Sequence, residues 1–371
     1  MNAAGIIFSN IHDTSLAELT KNRTVASLPY GARYRQIDFI LSNMSNAGMQ
    51  SIGIITKYNY SSLMDHLGSC AEWDLNLKNS HFSILAPYSA SHSGVYNGKM
   101  EALYNTLEFL EHSDLDYVIL SDSVAVCAID LREVLADHIK SGCDVTAVVT
   151  KYQGKEKEFP IAVQLDEKGN VDEMGVSVTI AENDLGGMGI YVMKREALID
   201  AVKHYVVRGR YHLERDFLLQ EFNAGKLSIH AHVFEGVALF NFSTQDYFEN
   251  SMALLDHDIY HGIFDQRGLT IYTKTRDEVP TYYGVDSDID NCIVADGCRL
   301  LGKAKDSVLF RSVSVAKDAS VKDCVIMQGC TISEGAVLEG VILDKDVTVR
   351  PYTVLRGTKE HPIIIGKGAN V

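Results

Sequence analysis

A chain of 371 residues, 46% hydrophobic and 22% charged, is long enough to bury a sizeable core and to form two or three domains. Its net charge of -15 argues against a nucleic-acid or anionic-membrane partner, because binding to either draws on clustered Lys and Arg. No apolar run approaches a membrane span, no leader-like segment opens the chain, and the seven cysteines lack CxxC spacing. Together these features read as a cytoplasmic protein with reduced, buried thiols.

Up to about residue 256, short apolar runs such as Gly5-Ile6-Ile7-Phe8, Ile52-Gly53-Ile54-Ile55, Tyr117-Val118-Ile119-Leu120 and Val145-Thr146-Ala147-Val148-Val149 alternate with helix-period segments. That alternation predicts an α/β domain with a mixed, mostly parallel sheet. A helix over 99–110 places Met100, Leu103, Tyr104, Leu107 and Leu110 on one core-facing stripe, and 131–139 behaves in the same way. The run Lys155-Glu156-Lys157-Glu158 reads as a solvated loop. A helix over 244–255 closes the first domain, at 1–256. Residues 257–290 read as a linker with strand-like Leu269-Thr270-Ile271-Tyr272, a turn at Val279-Pro280-Thr281, and Tyr282-Tyr283 packed at the connector.

From 291 to 371 the texture changes. Val308-Leu309-Phe310, Val325-Ile326-Met327 and Val341-Ile342-Leu343 recur at spacings of 17 and 16 residues, and branched residues return about every six positions, as in Ile326, Ile332 and Leu338. A hexapeptide rhythm of this kind predicts a parallel β-helix whose coils stack and bury the branched residues. A β-sandwich would share the alternation but not the regular long spacing. Hexapeptide coils also build acyltransferases, which commonly use a histidine between coils; here no histidine occurs from Asn291 until His361.

The stretch Asn22-Arg23-Thr24-Val25-Ala26-Ser27-Leu28-Pro29-Tyr30-Gly31-Ala32-Arg33-Tyr34-Arg35-Gln36-Ile37-Asp38-Phe39, followed by Leu41-Ser42-Asn43, resembles a signature of the ADP-glucose pyrophosphorylases. Those enzymes make ADP-glucose from glucose 1-phosphate and ATP for glycogen or starch synthesis. Further matches at Ile55-Thr56-Lys57-Tyr58, Ala71-Glu72-Trp73-Asp74-Leu75, Gly189-Ile190-Tyr191-Val192 and Ile293-Val294-Ala295-Asp296-Gly297-Cys298 extend the resemblance over nearly the whole chain. It implies a Rossmann-like nucleotidyltransferase domain, a linker, and a left-handed parallel β-helix that helps to assemble a tetramer.

The positions where such an enzyme does its chemistry differ here. In place of a glycine-rich loop whose backbone N–H groups and arginine hold the nucleotide phosphates, the chain reads Asn10-Ile11-His12-Asp13-Thr14-Ser15. Ser15 stands where the arginine would be, and Asp13 adds negative charge. Two aspartates would hold Mg²⁺ in the family. Asp122, in Leu120-Ser121-Asp122-Ser123-Val124, matches the first and is a possible metal ligand, but Asn241, in Asn241-Phe242-Ser243-Thr244, replaces the second. The sugar-phosphate lysine falls at Ser177. A substrate-pocket remnant survives as Gly98 and Glu101 in Gly98-Lys99-Met100-Glu101-Ala102, and as Asp216 in His212-Leu213-Glu214-Arg215-Asp216. His12 and His212 receive no role.

Lost donors of this type each cost about 10² or more in rate where measured, without simply multiplying. The pattern is similar to that of D-type regulatory subunits of bacterial ADP-glucose pyrophosphorylase. That likeness implies a non-catalytic chain in a heterotetramer with a catalytic subunit of the same fold, no tightly bound cofactor of its own, and Mg²⁺ supplied through the partner. The alternative is an active nucleotidyltransferase with substitute ligands, making ADP-glucose or another nucleotide sugar. Arg23, Arg33 and Arg35 resemble the family's region for a sugar-phosphate or phosphate effector; the other reading is an ion-pair set serving Asp38.

Overall fold

The computed structural model describes residues 1–10, 13–87, 96–154, 156–166 and 169–371. Ile11, His12 and Lys155, named above, lie outside them. The first domain is built on a mixed sheet. Strand Ala3–Phe8, small and branched and buried along its whole length, is central, as expected where helices cover both faces. It pairs in parallel with Ser51–Ile55 and with Tyr117–Asp122, and His81–Leu85 adds a parallel edge. Leu185–Lys194 then runs antiparallel to Tyr117–Asp122, to Val145–Lys151 and to Lys157–Leu165, while Ile229–Phe234 returns parallel to Val145–Lys151. Because Phe8 is in register with both Asp122 and Ile55, the loops after all three strands open on one edge. Crevices at the carboxyl ends of parallel strands are where such sheets bind ligands.

Helix Gln36–Asn46 starts where Asp38 accepts a hydrogen bond from the Arg35 backbone N–H, 2.9 Å, closing its first turn. The stripe expected over 99–110 is two short helices, Lys99–Tyr104 and Leu107–Glu111, broken at Asn105 and Thr106. Tyr104, the last residue of the first of these helices, is exposed rather than part of the core. Lys157 opens a strand instead of continuing a solvated loop; its ammonium pairs with Asp246 at 2.6 Å and sits 5.1 Å from the Phe242 ring.

Helix Thr244–Ala253 is followed by a second, His257–Phe264, inside the expected linker, with Asp256 capping it. The segment Leu269-Thr270-Ile271-Tyr272 is irregular, held to the first domain where Asn46 and Ser42 bond its backbone. Coil pairing begins at Tyr282–Tyr283, ahead of residue 291, and both tyrosines are exposed rather than packed.

In the β-helix, Leu300, Val315, Ile332 and Val349 stack as one column and Ala304, Val321, Leu338 and Leu355 as a second. Val308 stacks on Val325, and Val325 on Ile342. The 16-residue step expected to Val341 is therefore a 17-residue step to Ile342, with Val341 pairing onward to Ile363. Leu309, Ile326 and Leu343 fill the interior, whereas Val308, Phe310, Val325, Met327 and Ile342 join the core of the first domain. One outer face of the coil is thus an internal domain interface. All seven cysteines are free thiols, and among the described residues no helix is long and apolar enough to cross a membrane.

Candidate functional site

At the carboxyl edge of the sheet lies a cavity of about 400 Å³, walled by residues that include Phe8, Ser9, Asn10, Thr56, Lys57, Tyr96, Gly98, Lys99, Asp122, Ser177, His212, Glu214 and Arg215. Strand Tyr117–Asp122 delivers Asp122 to its floor. Gly189, in the left-handed region at φ 71, leaves room for that carboxylate, since a Cβ there would meet Asp122 Oδ2 at 2.7 Å. Gly98 has a steric reason of its own. Its Cβ would lie 2.2 Å from the Tyr211 carbonyl oxygen, which accepts the Met100 N–H at 2.9 Å. The first turn of helix Lys99–Tyr104 is thereby docked against the segment carrying Glu214.

That docking brings Lys99 to the centre of the site. Its Nζ lies 2.7 and 2.8 Å from the two oxygens of Asp122 and 2.5 Å from Glu214 Oε1. The Phe8 and Tyr191 rings stand 5.4 and 5.9 Å away. Burial pushes the lysine pKa down, but attraction to Asp122 and Glu214 outweighs it and holds the ammonium above its ordinary range. Burial, resisted by Lys99 and reinforced by Glu214, pushes Asp122 up to about 6.

The other expected positions divide. Ser177 is on the cavity wall, in the left-handed region at φ 53, a conformation costing a non-glycine residue about 1–2 kcal/mol. Glu101 turns back to its own helix and accepts from the Asn97 N–H and side-chain amide at 2.6 and 2.9 Å. Asp216 accepts from the Tyr211 and His212 N–H groups, both at 2.9 Å, and so shapes the loop rather than facing the cavity. Asn241 is fully buried; its amide donates to Gln36 at 2.9 Å and accepts from Asn250 at 2.9 Å, and it is not on the wall with Asp122. Ser15 is exposed and off the wall. Asp13 does not face the cavity either: it is buried, accepting from Val25 N–H at 2.8 Å and from the Asn10 amide at 2.5 Å. The residues present do not fit a divalent cation, because an ammonium already sits on the only expected carboxylate that faces the cavity. Among the described residues no group of three or more His, Cys, Asp or Glu side chains is arranged to hold a metal.

A second constellation lies between the domains. Arg33, Arg35, Lys274, Arg276, Arg311 and Lys345 surround a cleft closed down to about 30 Å³, room for about one water molecule. Arg311 is buried, and its Nε and Nη2 have no hydrogen-bond partner. Burial, then repulsion from Arg35 and Arg23, pushes Lys345 down to about 7; burial likewise brings Arg35 to about 10. Unsatisfied, crowded cations of this sort suit an anion. Arg33 is exposed at the rim, while Arg35 spends its guanidinium on Ser62 O and Oγ at 2.8 and 2.7 Å. Arg23 leaves the expected set altogether. Its Nη2 holds both oxygens of Asp344 at 2.7 and 2.8 Å across the domain interface. Of the ion-pair reading, Arg23 does pair with a carboxylate, though it is Asp344, while the Arg35 guanidinium has no hydrogen bond to Asp38, which bonds His66.

Sequence reading missed Lys99, Glu214 and most of the cleft. A lysine four residues before Leu103 and eight before Leu107 shares their buried face, and a charge on such a face was a usable signal. Arg311, Gln328 and Lys345 follow the three stacked triplets at one repeat position, which the 17-residue period also exposes.

This architecture, an α/β domain with its crevice at the carboxyl edge joined to a hexapeptide coil, is that of sugar-nucleotide-forming transferases. Residues 5–235 match the nucleotidyl transferase family model and 279–361 the GlmU-like C-terminal hexapeptide model. The chain belongs to the nucleotidyl transferase family. It is 34% identical to the glycogen biosynthesis protein GlgD of Bacillus subtilis over 98% of this chain and 95% of that one. With GlgD of Geobacillus stearothermophilus the identity is 35%, covering 98% and 96%. Glucose-1-phosphate adenylyltransferase of Bacillus mycoides is 29% identical, covering 95% of each chain.

Proposed function

We propose that this chain is a regulatory, non-catalytic subunit of a glucose-1-phosphate adenylyltransferase, acting in the cytoplasm in glycogen biosynthesis. It assembles with a catalytic homologue, and the Mg²⁺ chemistry stays with that partner. One observation carries the reading: the Asp122 carboxylate, which would face a metal–nucleotide complex, is closed by the buried Lys99 ammonium. The glycine-rich loop and second aspartate are replaced as well, while the domain core and the coil remain complete. A subunit that packs differently against two states of its partner shifts their equilibrium by contacts alone.

The interdomain cleft is the natural place for a phosphate-bearing effector, since Arg311 Nε and Nη2 have no hydrogen-bond partner there and neighbouring cations crowd Lys345. Its rim residues Arg33 and Arg276 are exposed, so the cleft opens without disturbing the core.

The test is ADP-glucose synthesis by this chain, by the catalytic homologue and by their mixture. The expected result is negligible turnover alone and altered kcat or substrate affinity of the partner on mixing. Robust turnover by this chain alone overturns the non-catalytic part, and partner kinetics unchanged on mixing overturn the regulatory part.

A further inference from the structure

We infer that the Lys99 ammonium is the permanent cation of the sheet-edge cavity, standing where a divalent ion would bind Asp122, so that this site rejects Mg²⁺ and Mn²⁺. The inference rests on the non-catalytic reading above for its biological sense, but its geometry and its test are independent of that reading.

The first argument is occupancy. Magnesium binds carboxylate oxygens at about 2.1 Å with near-ideal octahedral geometry. Here Nζ donates to Asp122 Oδ2 at 2.8 Å and stands 2.7 Å from Oδ1, which accepts no hydrogen bond but lies against the same charge, and Glu214 closes a third direction. An ammonium has three donor hydrogens and no acceptor, so it organises carboxylates as a small cation does and offers nothing to a metal. A divalent ion on the same oxygens would sit against a like charge in a site where Lys99 is only 8% exposed.

The second argument is that Lys99 cannot easily step aside. Its backbone is fixed by Gly98 against Tyr211 O and by the Met100 N–H bond to that carbonyl, and Phe8 and Tyr191 flank the side chain. Helix Lys99–Tyr104, strand Tyr117–Asp122 and the Glu214 segment therefore meet at one ammonium. The third argument is charge. One ammonium faces two carboxylates here, so the positive partner those oxygens call for is supplied by the chain's own lysine. The cavity is thus set electrically by the chain itself and is independent of the metal supply on which a catalytic partner depends.

Binding of Mn²⁺ to the purified full-length chain, read by electron paramagnetic resonance, tests this. The wild type is expected to show no Asp122-dependent Mn²⁺ site. Lys99→Thr, and Lys99→Met, which keeps the apolar stem between the two rings, are each expected to bind Mn²⁺ at least tenfold more tightly. The gain should vanish when Asp122→Asn is added. A wild-type Mn²⁺ site that Asp122→Asn removes overturns the inference, and so does a folded Lys99→Thr or Lys99→Met chain with no gain over wild type. Should neither variant fold, the wild-type titration decides alone. If the chain modulates its partner yet binds Mn²⁺ at Asp122, the lysine inference falls and the regulatory reading stands.

Discussion

Arg23 and Asp344 form a buried ion pair between the domains, and removing one partner tests how dry that interface is. Their side chains are 4% and 3% exposed, and both carboxylate oxygens are held, at 2.7 and 2.8 Å. Asp344→Ala leaves the guanidinium with only the weak acceptor Met327 Sδ at 3.8 Å. Stranding a buried charge costs about 3–5 kcal/mol, whereas replacing both partners by apolar residues is close to neutral. The expected series is therefore a loss of about 3–5 kcal/mol for Asp344→Ala, with most of it regained in Arg23→Met/Asp344→Leu. Arg23→Met should cost less than Asp344→Ala, because Asp344 keeps the Lys345 N–H at 2.7 Å. Urea unfolding followed by the fluorescence of Trp73, the sole tryptophan and buried in the first domain, measures each. A loss below about 1 kcal/mol for Asp344→Ala, the range of a solvated pair, would refute the reasoning and return Arg23 to the pool of cations available to an effector.

Gly98→Ala forces a Cβ to 2.2 Å from Tyr211 O; overpacking against backbone is expected to cost about 1–3 kcal/mol, read as a lowered Tm, and an unchanged Tm would show that the turn can relax. Asn241→Asp removes the amide donor to Gln36 in a fully buried network, so it should destabilise by about 1–3 kcal/mol and yield no ADP-glucose synthesis, since Lys99 still covers Asp122. Inorganic phosphate in the interdomain cleft should raise the Lys345 pKa from about 7 toward its ordinary 10.5. Binding at pH 8 to 9 therefore takes up a proton, and affinity falls as pH rises above 7. Calorimetry in two buffers of different ionisation heat reads the uptake, and binding without it would place the anion elsewhere.

The architecture was legible because periodicity reports on burial. Alternating runs gave the sheet, and the long repeat gave the coil down to a one-residue error at Val341, which arose because adjacent Val341 and Ile342 are equally branched while only the stacking shows that Ile342 aligns with Val325. The pocket was legible as a set of losses but not as a construction. Ser177 and Gly98 lie on its wall, whereas Asp13, Glu101 and Asp216 keep carboxylates whose direction is set by nearby N–H groups. Arg23 was misread for a related reason: its partner lies 321 residues away, beyond any local pattern.

The two constellations differ in where their positive charge is committed. In the sheet-edge cavity Lys99 is committed to two carboxylates, and a further anion entering there would compete with charges fixed by the fold. In the interdomain cleft burial and repulsion from neighbouring cations outweigh the attraction of Asp296 and Glu278 on Arg311 and of Asp344 on Lys345, and Arg311 Nε and Nη2 have no hydrogen-bond partner. An incoming phosphate thus gains little in the first and relieves a standing penalty in the second. The cleft is lined from both domains, with Arg33 and Arg35 on one side and Arg311 and Lys345 on the other, so an anion held there would contact the coil and the first domain at once.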